Sequence, residues 1–433
     1  MRKSSFGAAL LIALCMTGKA AASTELNGLF DARSMGMGGT GVAFLDSAGA
    51  IPINPANLAN IKHLTLTLNG LLFISQPEAP YRITHTDGMG GTRDNYETIR
   101  SETIYAPLFY VGGAYRLHER VVFGIGFGPM IGQGTSSRYK PAPELRPELE
   151  VENALSAGVL ELANTLSFNV SDTLSLGVAW RMTYMTQSIN TPLPGRGIGG
   201  LQLDREMNPI YGNINVTGLN FAGFQLGVQW KPDPAVSIGL SYRNKVTIVG
   251  KGTTVSKNPI DGSALSLDTE QPFTNPHSFR AGIAISAIKD KLLFAADVKY
   301  LMYAEAWEYL PVTTIRNGER STTNTVAKWK DAYNVHLGAE YKVTEGVAAR
   351  AGYIISTTAT PEAYAKAFMA PPGVAHCWTG GLGFALGESF NLDVAGSFIK
   401  LSTDIYVATP DNAGVGTYAS TTGELSVSAT YHN

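Results

Sequence analysis

A glycine-rich segment near the N-terminus has a residue spacing that could bind a phosphate. Gly36-Met37-Gly38-Gly39-Thr40-Gly41 matches the pattern G-x-G-x-x-G, whose glycines let a backbone approach a pyrophosphate in dinucleotide-binding folds. That chemistry requires a preceding strand and a following helix within a βαβ unit. The flanking sequence indicates neither, so we interpret these glycines as residues that allow a tight backbone turn.

Titratable side chains with the spacing of a metal or catalytic site are scarce. The seven His residues show no H-E-x-x-H or other paired ligand spacing, so we predict no metal and no cofactor. Glu148, Glu150 and Glu152 cluster in a predicted loop, where a solvated acidic surface is favoured over cation binding. The formal net charge of −2 gives no basic surface for nucleic acid.

Three arginines have the setting of anion-binding residues. Arg181, Arg243 and Arg350 lie on the polar face of predicted strands, opposite Trp180, Tyr242 and Tyr353. If those strands close into a barrel, each guanidinium points into the lumen, where it can hold a carboxylate in two places. The alternative is that the arginines pair with lumen acids such as Asp297 or Glu340, and both interpretations stay open.

The elements that would position these residues are β-strands. From residue 63 onward apolar and polar residues alternate in runs of about 10 residues or more, long enough to cross a bilayer when tilted. One such run places Leu174, Leu176, Val178, Trp180, Met182 and Tyr184 on one face. The pattern predicts about 14 strands, near residues 63–74, 103–117, 119–131, 158–170, 173–188, 212–230, 235–254, 276–287, 290–308, 331–343, 346–357, 375–386, 389–406 and 416–431.

The connections between these strands alternate in length. Short turns are expected near residues 118, 171, 233, 289, 344 and 387, and long loops near 75–102, 132–157, 189–211, 255–275, 309–330, 358–374 and 407–415. This pattern is typical of a transmembrane antiparallel β-barrel with periplasmic turns and extracellular loops. A soluble β-sandwich or propeller is disfavoured, because charged residues share the polar face and aromatic residues lie near strand ends.

The chain of 433 residues divides into three predicted parts. Residues 1–22 have a basic start, a short apolar core and small residues before a cleavage site, as in a secretory signal peptide. Residues 23–60 do not alternate and precede a barrel too wide to fill its own lumen, so we expect them to form a plug, or hatch. Residues 61–433 would form the barrel. Loss of Cys15 with the signal peptide leaves Cys377 alone, so no intrachain disulfide is expected.

The segment 32–43, followed by Asn54-Pro55-Ala56-Asn57-Leu58-Ala59, resembles the hatch of the FadL/TodX family of outer-membrane transporters for long-chain fatty acids and other hydrophobic compounds. The family's Asn-Pro-Ala hatch motif maps onto Asn54, Pro55 and Ala56. The resemblance continues through 127–132, 226–246, 329–331 and 350–353, and it departs at Asn433, where an aromatic residue is usual. The hatch residues implied are Met35, Gly36, Gly38, Gly41, Asn54, Pro55 and Ala56.

The resemblance also implies a route and a function. Ligand would move from an extracellular groove to a lumen pocket, and then leave sideways through a wall opening at the kinked third strand. Gly124, Gly126, Gly128 and Pro129 suit such a kink, although close packing against the hatch would explain them equally well.

We therefore predict a monomer in the outer membrane of a Gram-negative bacterium, surrounded by outer-membrane lipid. It would import hydrophobic small molecules, with fatty acids favoured over aromatic hydrocarbons and with Arg181, Arg243 and Arg350 as candidate ligand-binding residues. One alternative is a secretion or assembly accessory barrel, and another, less favoured, is an outer-membrane lipase or acyl hydrolase. The chain is therefore not expected to be an enzyme.

Overall fold

The computed structural model describes residues 30–87, 89–258, 261–367 and 369–433. The predicted signal peptide and the first residues of the predicted hatch lie outside this part of the chain. A short helix α1 (Ala32–Gly36) and two 3-10 turns (Ala48–Ala50 and Pro55–Asn60) precede the strands. None of the helices in the described residues has the length and hydropathy to cross a membrane.

Nineteen strand segments follow, joined mainly by tight turns at one end and by longer connections at the other. They are β1 Leu64–Thr86, β2 Thr92–Arg100, β3 Ile104–His118, β4 Val121–Tyr139, β5 Val151–Asn169, β6 Leu174–Pro192, β7 Tyr211–Asp233, β8 Val236–Arg243, β9 Val246–Lys257, β10 Ala264–Asn275, β11 Ser278–Ile288, β12 Leu292–Leu301, β13 Tyr309–Arg316, β14 Glu319–Val326, β15 Ala332–Thr344, β16 Val347–Thr357, β17 Val374–Ala385, β18 Phe390–Ile405 and β19 Gly416–His432.

The segments form a closed barrel of 14 antiparallel strands, as predicted. Five consecutive pairs each act as one interrupted strand: β2 and β3, β8 and β9, β10 and β11, β12 and β13, and β14 and β15. The members of the first two pairs lie against one continuous strand, β1 or β7. Those of the other three lie against the two members of a neighbouring interrupted strand. Closure follows from β1, which pairs with β3 along one edge and with β19 along the other. A closed barrel leaves no unpaired sheet edge, which is the condition for strands in a bilayer.

Burial along the strands is the reverse of that in a soluble protein. On β1, Leu66 and Leu68 are 48% and 56% exposed, whereas the alternating Thr65 and Thr67 are only 1% and 2% exposed. The apolar face therefore points outward and the polar face points into the lumen. Such a surface is stable only when hydrocarbon surrounds it, so the fold itself requires a membrane.

Several predicted long loops are strands in the structure. β1 and β2 occupy most of 75–102, β9 and β10 cover most of 255–275, and β13 and β14 cover most of 309–330. The prediction of strand ends was wrong there because apolar residues alternate only where the outer face meets lipid. Beyond the bilayer both faces meet water, and the backbone ladder continues through polar sequence such as Glu319–Val326.

Residues 30–60 lie inside the barrel, and we call them the hatch. Met37, Leu45, Ile51 and Leu58 are buried together and pack against wall residues such as Ala114. Two buried asparagines, Asn54 and Asn57, add polar contacts to the same segment. The hatch thus supplies the core that the polar inner face of the wall cannot form alone.

Glycines on the inner face of the wall make room for the hatch backbone. A Cβ atom added at Gly338 would collide with the Met37 carbonyl, and one added at Gly352 would collide with the backbone at Gly38. The same holds for Gly177, Gly227 and Gly239, which face hatch residues Pro55–Ala56, Asn54 and Val42. Because these wall positions have no side chains, the hatch backbone can lie directly against the wall.

We predict that Gly338→Val displaces the hatch and raises ion conductance in planar bilayers, because two added methyl groups have no space beside Met37. Gly70→Val is the matched control, since an added Cβ at Gly70 has nothing within 4 Å. Equal conductance in the two variants would contradict a close fit between wall and hatch.

Candidate functional site

The glycine-rich turn of the hatch is a wall-binding element. Gly38 and Gly39 have φ angles of +68° and +70°, in the left-handed region that glycine adopts without strain. This turn aims the backbone N–H groups of Gly41 and Val42 at Asp297, whose Oδ2 accepts from them at 3.0 and 3.2 Å. The G-x-G-x-x-G spacing therefore presents amides to a carboxylate on the wall, as the tight-turn interpretation requires.

Two further wall side chains hold the carbonyl groups of the same turn. Arg280 donates to the Gly39 carbonyl and, at 2.8 Å, to Asp297 Oδ2. His336 Nδ1 lies 2.8 Å from the Gly38 carbonyl oxygen. Arg280, Asp297 and His336 together satisfy both donors and acceptors of the turn, so that a polar loop can be buried in the lumen.

Asn54 joins two parts of the hatch to the wall. Its Oδ1 accepts from Ala56 N at 3.1 Å, which caps the 3-10 turn that Pro55 begins. Its Nδ2 donates to the Val42 carbonyl at 2.7 Å and to the Val228 carbonyl of β7 at 3.0 Å. One buried amide thus fixes the Asn-Pro-Ala segment, the glycine turn and the barrel relative to each other.

Asp31 begins α1, within the hatch rather than in a wall strand. Its carboxylate accepts from Ser34 N at 3.0 Å and from Ser47 Oγ at 2.5 Å. Burial, and then the nearby Asp393 carboxylate, raise the pKa of Asp31 to about 6. The ionised form is therefore a source of instability that the two hydrogen bonds only partly offset.

The periplasmic face of the hatch carries an ion-pair network. Arg33 of α1 donates to both oxygens of Glu340, at 2.9 and 2.8 Å, and to Asp46 at 3.0 Å. Arg350 donates to Glu340 and to Asp393, each at 2.6 Å. These residues border a cavity of about 270 Å³ next to the turn between β15 and β16, which places Arg350 at the periplasmic end.

Arg181 and Arg243 meet at a single acid inside the barrel. Arg181 Nη1 lies 2.9 Å from Glu161 Oε2, and Arg243 Nη2 lies 2.8 and 2.6 Å from the two Glu161 oxygens. Arg243 also reaches the Pro52 carbonyl of the hatch at 3.3 Å. Two of the three candidate arginines are thus brought together, and the third, Arg350, is on the opposite side of the hatch.

An apolar cluster lies beyond Arg243, on the extracellular side of the hatch, and we call it the lumen cluster. Trp307 stacks on Trp329 with ring centroids 4.9 Å apart, and Phe273 and Tyr303 contact these rings edge-on. The other buried members are Ile131, Val159, Met185, Val216, Val246, Ile248, Leu301, Ala327, Ala332 and Ala359. All of these side chains are apolar or aromatic, which is the lining that sites for hydrocarbon chains and rings use.

Three of the four aromatic residues of the lumen cluster come from two strand interruptions, and the fourth, Phe273, lies in β10. Trp307 lies between β12 and β13, and Trp329 lies between β14 and β15. The Trp307 Nε1–H group donates to the Thr274 carbonyl at 2.6 Å, which fixes the inward turn of this segment. The sequence analysis placed Trp307 in a strand and Trp329 in a loop. Local sequence does not show that a segment folds into the lumen.

The hydrogen-bond ladder between β3 and β4 is interrupted beside the lumen cluster, and we call this interruption the opening between β3 and β4. Pairing ends at Val111 and Phe127, and the two strands meet again where Glu102 N donates to the Ser136 carbonyl at 2.8 Å. At the same height Met130 is an extra residue of β4 relative to β5, between Pro129 and Ile131. Ile131 belongs to the lumen cluster and Met130 packs against it, so this opening borders the apolar lumen.

The four predicted kink residues fall on both sides of the point where pairing ends. Gly124 and Gly126 lie in the paired part of β4 and face hatch residues Leu58 and Ile51. Gly128 and Pro129 lie in the unpaired part, next to the bulge. Close packing on the hatch therefore accounts for the first two glycines, and the change in strand path involves Gly128 and Pro129.

A family model described as outer membrane protein transport protein (OMPP1/FadL/TodX) matches residues 13–432. The chain belongs to the FadL/TodX family. It is therefore an outer-membrane transporter of hydrophobic compounds and not an enzyme.

Known relatives share this fold at low sequence identity. A FadL homologue of Pseudomonas aeruginosa superposes with a TM-score of 0.72 at 17% identity, over 96% of this chain and 99% of that one. The toluene transporter TodX of Pseudomonas putida gives 0.69 at 18% identity, over 96% and 99%. An outer membrane protein of Neisseria meningitidis serogroup B is 21% identical over 91% of this chain and 90% of its own length.

In this FadL/TodX chain, Glu161 could have been recognised from the sequence as a lumen residue with a cationic partner. Glu161 is the only charged residue between Val159 and Phe168, in a strand predicted correctly, and it lies on the same face as Thr165 and Ser167. An isolated acid on the lumen face of a strand predicts a partner cation on a neighbouring strand. Among the described residues, no group of three or more His, Cys, Asp or Glu side chains could hold a metal ion.

Hatch residues Met35 and Gly36 also lie at the wall. Met35 is buried against Leu71 and Phe73 of β1. An added Cβ at Gly36 would lie 3.3 Å from both Arg350 Cβ and Gly381 Cα, tighter than ordinary van der Waals contact. The implied hatch residues therefore occupy the hatch–wall boundary.

We predict that the double substitution Asn54→Ala, Pro55→Ala lowers uptake of a hydrophobic substrate severalfold at normal surface levels. The loss of three hydrogen bonds and one fixed φ angle would let the hatch populate several positions. Lys62→Ala is the control, because Lys62 is exposed and lies just after the same 3-10 turn. Normal uptake by the double variant would show that the hatch does not depend on this segment.

A second prediction concerns pH. Because the pKa of Asp31 is raised to about 6 from an ordinary 3.8, ionisation destabilises the folded hatch by roughly 2–3 kcal/mol above pH 6, and this cost disappears towards pH 4. Asp31→Asn keeps the helix cap and removes the charge. Spontaneous opening in planar bilayers should be rarer for Asp31→Asn than for the unmodified protein at pH 7, and equal at pH 4. A constant difference at both pH values would exclude Asp31 ionisation as the cause.

Proposed function

We propose that this transporter takes up long-chain fatty acids or similar amphipathic acids, and that they leave the barrel sideways between β3 and β4. The observation that carries the proposal is the meeting of two guanidinium groups, those of Arg181 and Arg243, beside the lumen cluster. An uncharged hydrocarbon would make no ion pair with them.

Arg181 and Arg243 both bind Glu161, so two guanidinium groups lie side by side at this point of the lumen. Arg243 is the more accessible of the two, with 13% of its side chain exposed against 2% for Arg181. A ligand carboxylate would accept a charge-assisted hydrogen bond from Arg243.

The apolar part of such a ligand would lie against the lumen cluster. Arg243 Nη1 is 3.9 Å from Met130 Sδ, so the cationic end of the site and its apolar wall are in contact. Burial of alkyl surface there supplies about 25 cal/mol per Å². Head group and tail of an amphipathic acid would thus both be satisfied.

Entry from outside is supported by a mixed groove at the extracellular rim. Its volume is about 730 Å³, and its lining combines the cations Arg138 and Lys257, the acids Glu150 and Glu152, and apolar surface such as Val255. Such a mixed surface can hold an amphiphile weakly before it moves inward. Exit is supported by the missing ladder between β3 and β4, which lies beside the lumen cluster and away from the hatch.

We expect Arg243→Ala to weaken fatty-acid binding by roughly 1.5–3 kcal/mol, the range of a hydrogen bond to a charged group. Binding of an uncharged hydrocarbon should hardly change, and Arg243→Lys should retain part of the affinity. Arg350→Ala is the matched control, because Arg350 lies below the hatch. Isothermal titration calorimetry of the purified proteins with palmitate and with toluene makes the comparison.

Equal losses for both ligands would mean damage to the pocket rather than loss of an anchor. An Arg243→Ala variant with unchanged palmitate affinity would overturn the assignment of an acid as ligand.

A further inference from the structure

A second opening of the wall lies between β7 and the interrupted strand formed by β8 and β9. On its periplasmic side the ladder runs up to the pair Gln225 and Arg243, and on its extracellular side it resumes at Thr217 and Lys251. The register is the same on both sides, so the ladder stops and resumes without slipping. Between these pairs, from Gly218 to Phe224, β7 has no ladder partner on this side.

Side chains replace most of the missing ladder. Asn220 Nδ2 donates to the Thr247 carbonyl at 2.8 Å, and Asn244 Nδ2 donates to the Ala222 carbonyl at 3.1 Å. Asn244 Oδ1 accepts from Phe224 N at 2.6 Å, and Asn244 N donates to the Phe224 carbonyl at 3.3 Å. Trp180 Nε1 of the neighbouring strand donates to the Phe221 carbonyl at 2.7 Å. Backbone groups at lipid depth must be paired, and the side-chain bonds between β7 and the other side of the interruption come from two amides that can rotate away.

The construction matches that of the opening between β3 and β4. β7 carries one extra residue relative to β6, because Arg181 pairs with Gly223 and Thr183 pairs with Asn220. β4 carries one extra residue, Met130, relative to β5. In both cases a bulge against one neighbour accompanies a loss of pairing to the other neighbour.

Both faces of the second opening are apolar. Met185, Val216 and Ile248 of the lumen cluster lie inside it. Outside it, Leu219 and Phe221 are 61% and 55% exposed. A hydrophobic molecule that passed between the strands would therefore meet apolar surface on either side.

The two openings are connected through the ion cluster. Glu161 lies next to Gly128 in the pairing of β4 with β5. Arg181, which binds Glu161, also donates to the Asn244 carbonyl and to Asn244 Oδ1, at 3.2 and 3.1 Å. A carboxylate that competes for Arg181 and Arg243 would weaken the hold on Asn244.

We propose that the opening between β7 and β9 is a second lateral gate, which Asn220 and Asn244 hold closed and through which hydrophobic ligand passes between the lumen cluster and the membrane. The proposal rests on the proposed function, because it requires that hydrophobic ligand occupies the lumen. It adds an exit that is separate from the opening between β3 and β4.

A disulfide across the gate tests it. Leu219 and Val249 are opposite each other in the shared register, so Leu219→Cys, Val249→Cys in a Cys377→Ala background can be joined by oxidation or by a short bis-methanethiosulfonate. The control pair is Val228→Cys, Leu240→Cys, which are ladder partners in the intact part of β7 and β8. Uptake of palmitate and of toluene is measured in cells that lack other transporters of this family.

We expect the cross-link at 219 and 249 to lower uptake of both ligands at least twofold, with recovery after reduction, and the control pair to have no effect. Asn220→Ala, Asn244→Ala tests the same gate in the opposite direction and should raise uptake at least twofold. A photoreactive palmitate that bears a diazirine should label β7 and β9 peptides before cross-linking and lose that labelling afterwards.

The outcomes separate the two proposals. If the unmodified protein takes up toluene but not palmitate, the acid specificity fails, and the gate is still tested with toluene. If the unmodified protein takes up ligand, and neither the verified cross-link nor the double alanine variant changes the rate, the gate is overturned and the proposed function stands. If it takes up neither ligand, both proposals are overturned.

Discussion

The fit between the hatch and the inner wall is the constraint on which the rest of this structure depends. Fourteen strands enclose more space than their own inward side chains fill, and most of those side chains are polar. The hatch brings Met37, Ile51 and Leu58 into that space. The wall accepts them because it carries Gly338 and Gly352 where a side chain would strike the hatch backbone. Packing of this kind is specific, since a single methyl group has nowhere to go.

Charge inside the lumen is arranged around the hatch in two layers. On the periplasmic side Arg33 and Arg350 are bound by Glu340, Asp46 and Asp393, so that cations and acids are closely matched. On the extracellular side Arg181 and Arg243 both bind Glu161. Buried ion pairs contribute little to stability unless each charge is compensated. Arg243 is the more exposed of these two arginines, so it is the cation that a ligand carboxylate would meet.

The wall is interrupted at the same level as this cation. A transmembrane barrel is stable because its ladder satisfies every backbone group, so an interruption needs either a special strand path or substitute hydrogen bonds. β4 uses a bulge at Met130 and separation from β3, whereas β7 uses a bulge and the amides of Asn220 and Asn244. In both cases the ladder on the bulged side shifts by one residue, whereas the register across the interruption in β7 is unchanged, so the barrel stays closed as a whole.

The sequence by itself determined the class of fold, the strand number and the membrane as surrounding solvent. The physical reason is local: the alternation of apolar residues such as Leu66 and Leu68 with polar residues such as Thr65 and Thr67 shows which face of a strand meets lipid and which faces the lumen. The hatch could also be predicted from the sequence, because Asn54-Pro55-Ala56 and the glycine turn are local motifs. Strand ends were not, since alternation disappears where both faces meet water, as in β13 and β14.

Only the tertiary structure decided which charges meet. Arg181, Arg243 and Arg350 look equivalent in sequence, yet two of them converge on Glu161 and the third lies beyond the hatch, because barrel closure and register fix which residues become neighbours. The same holds for Trp307 and Trp329, which stack although they belong to different interrupted strands. Distances across a lumen depend on strand number, stagger and the inserted hatch together, and no local stretch of sequence contains that information.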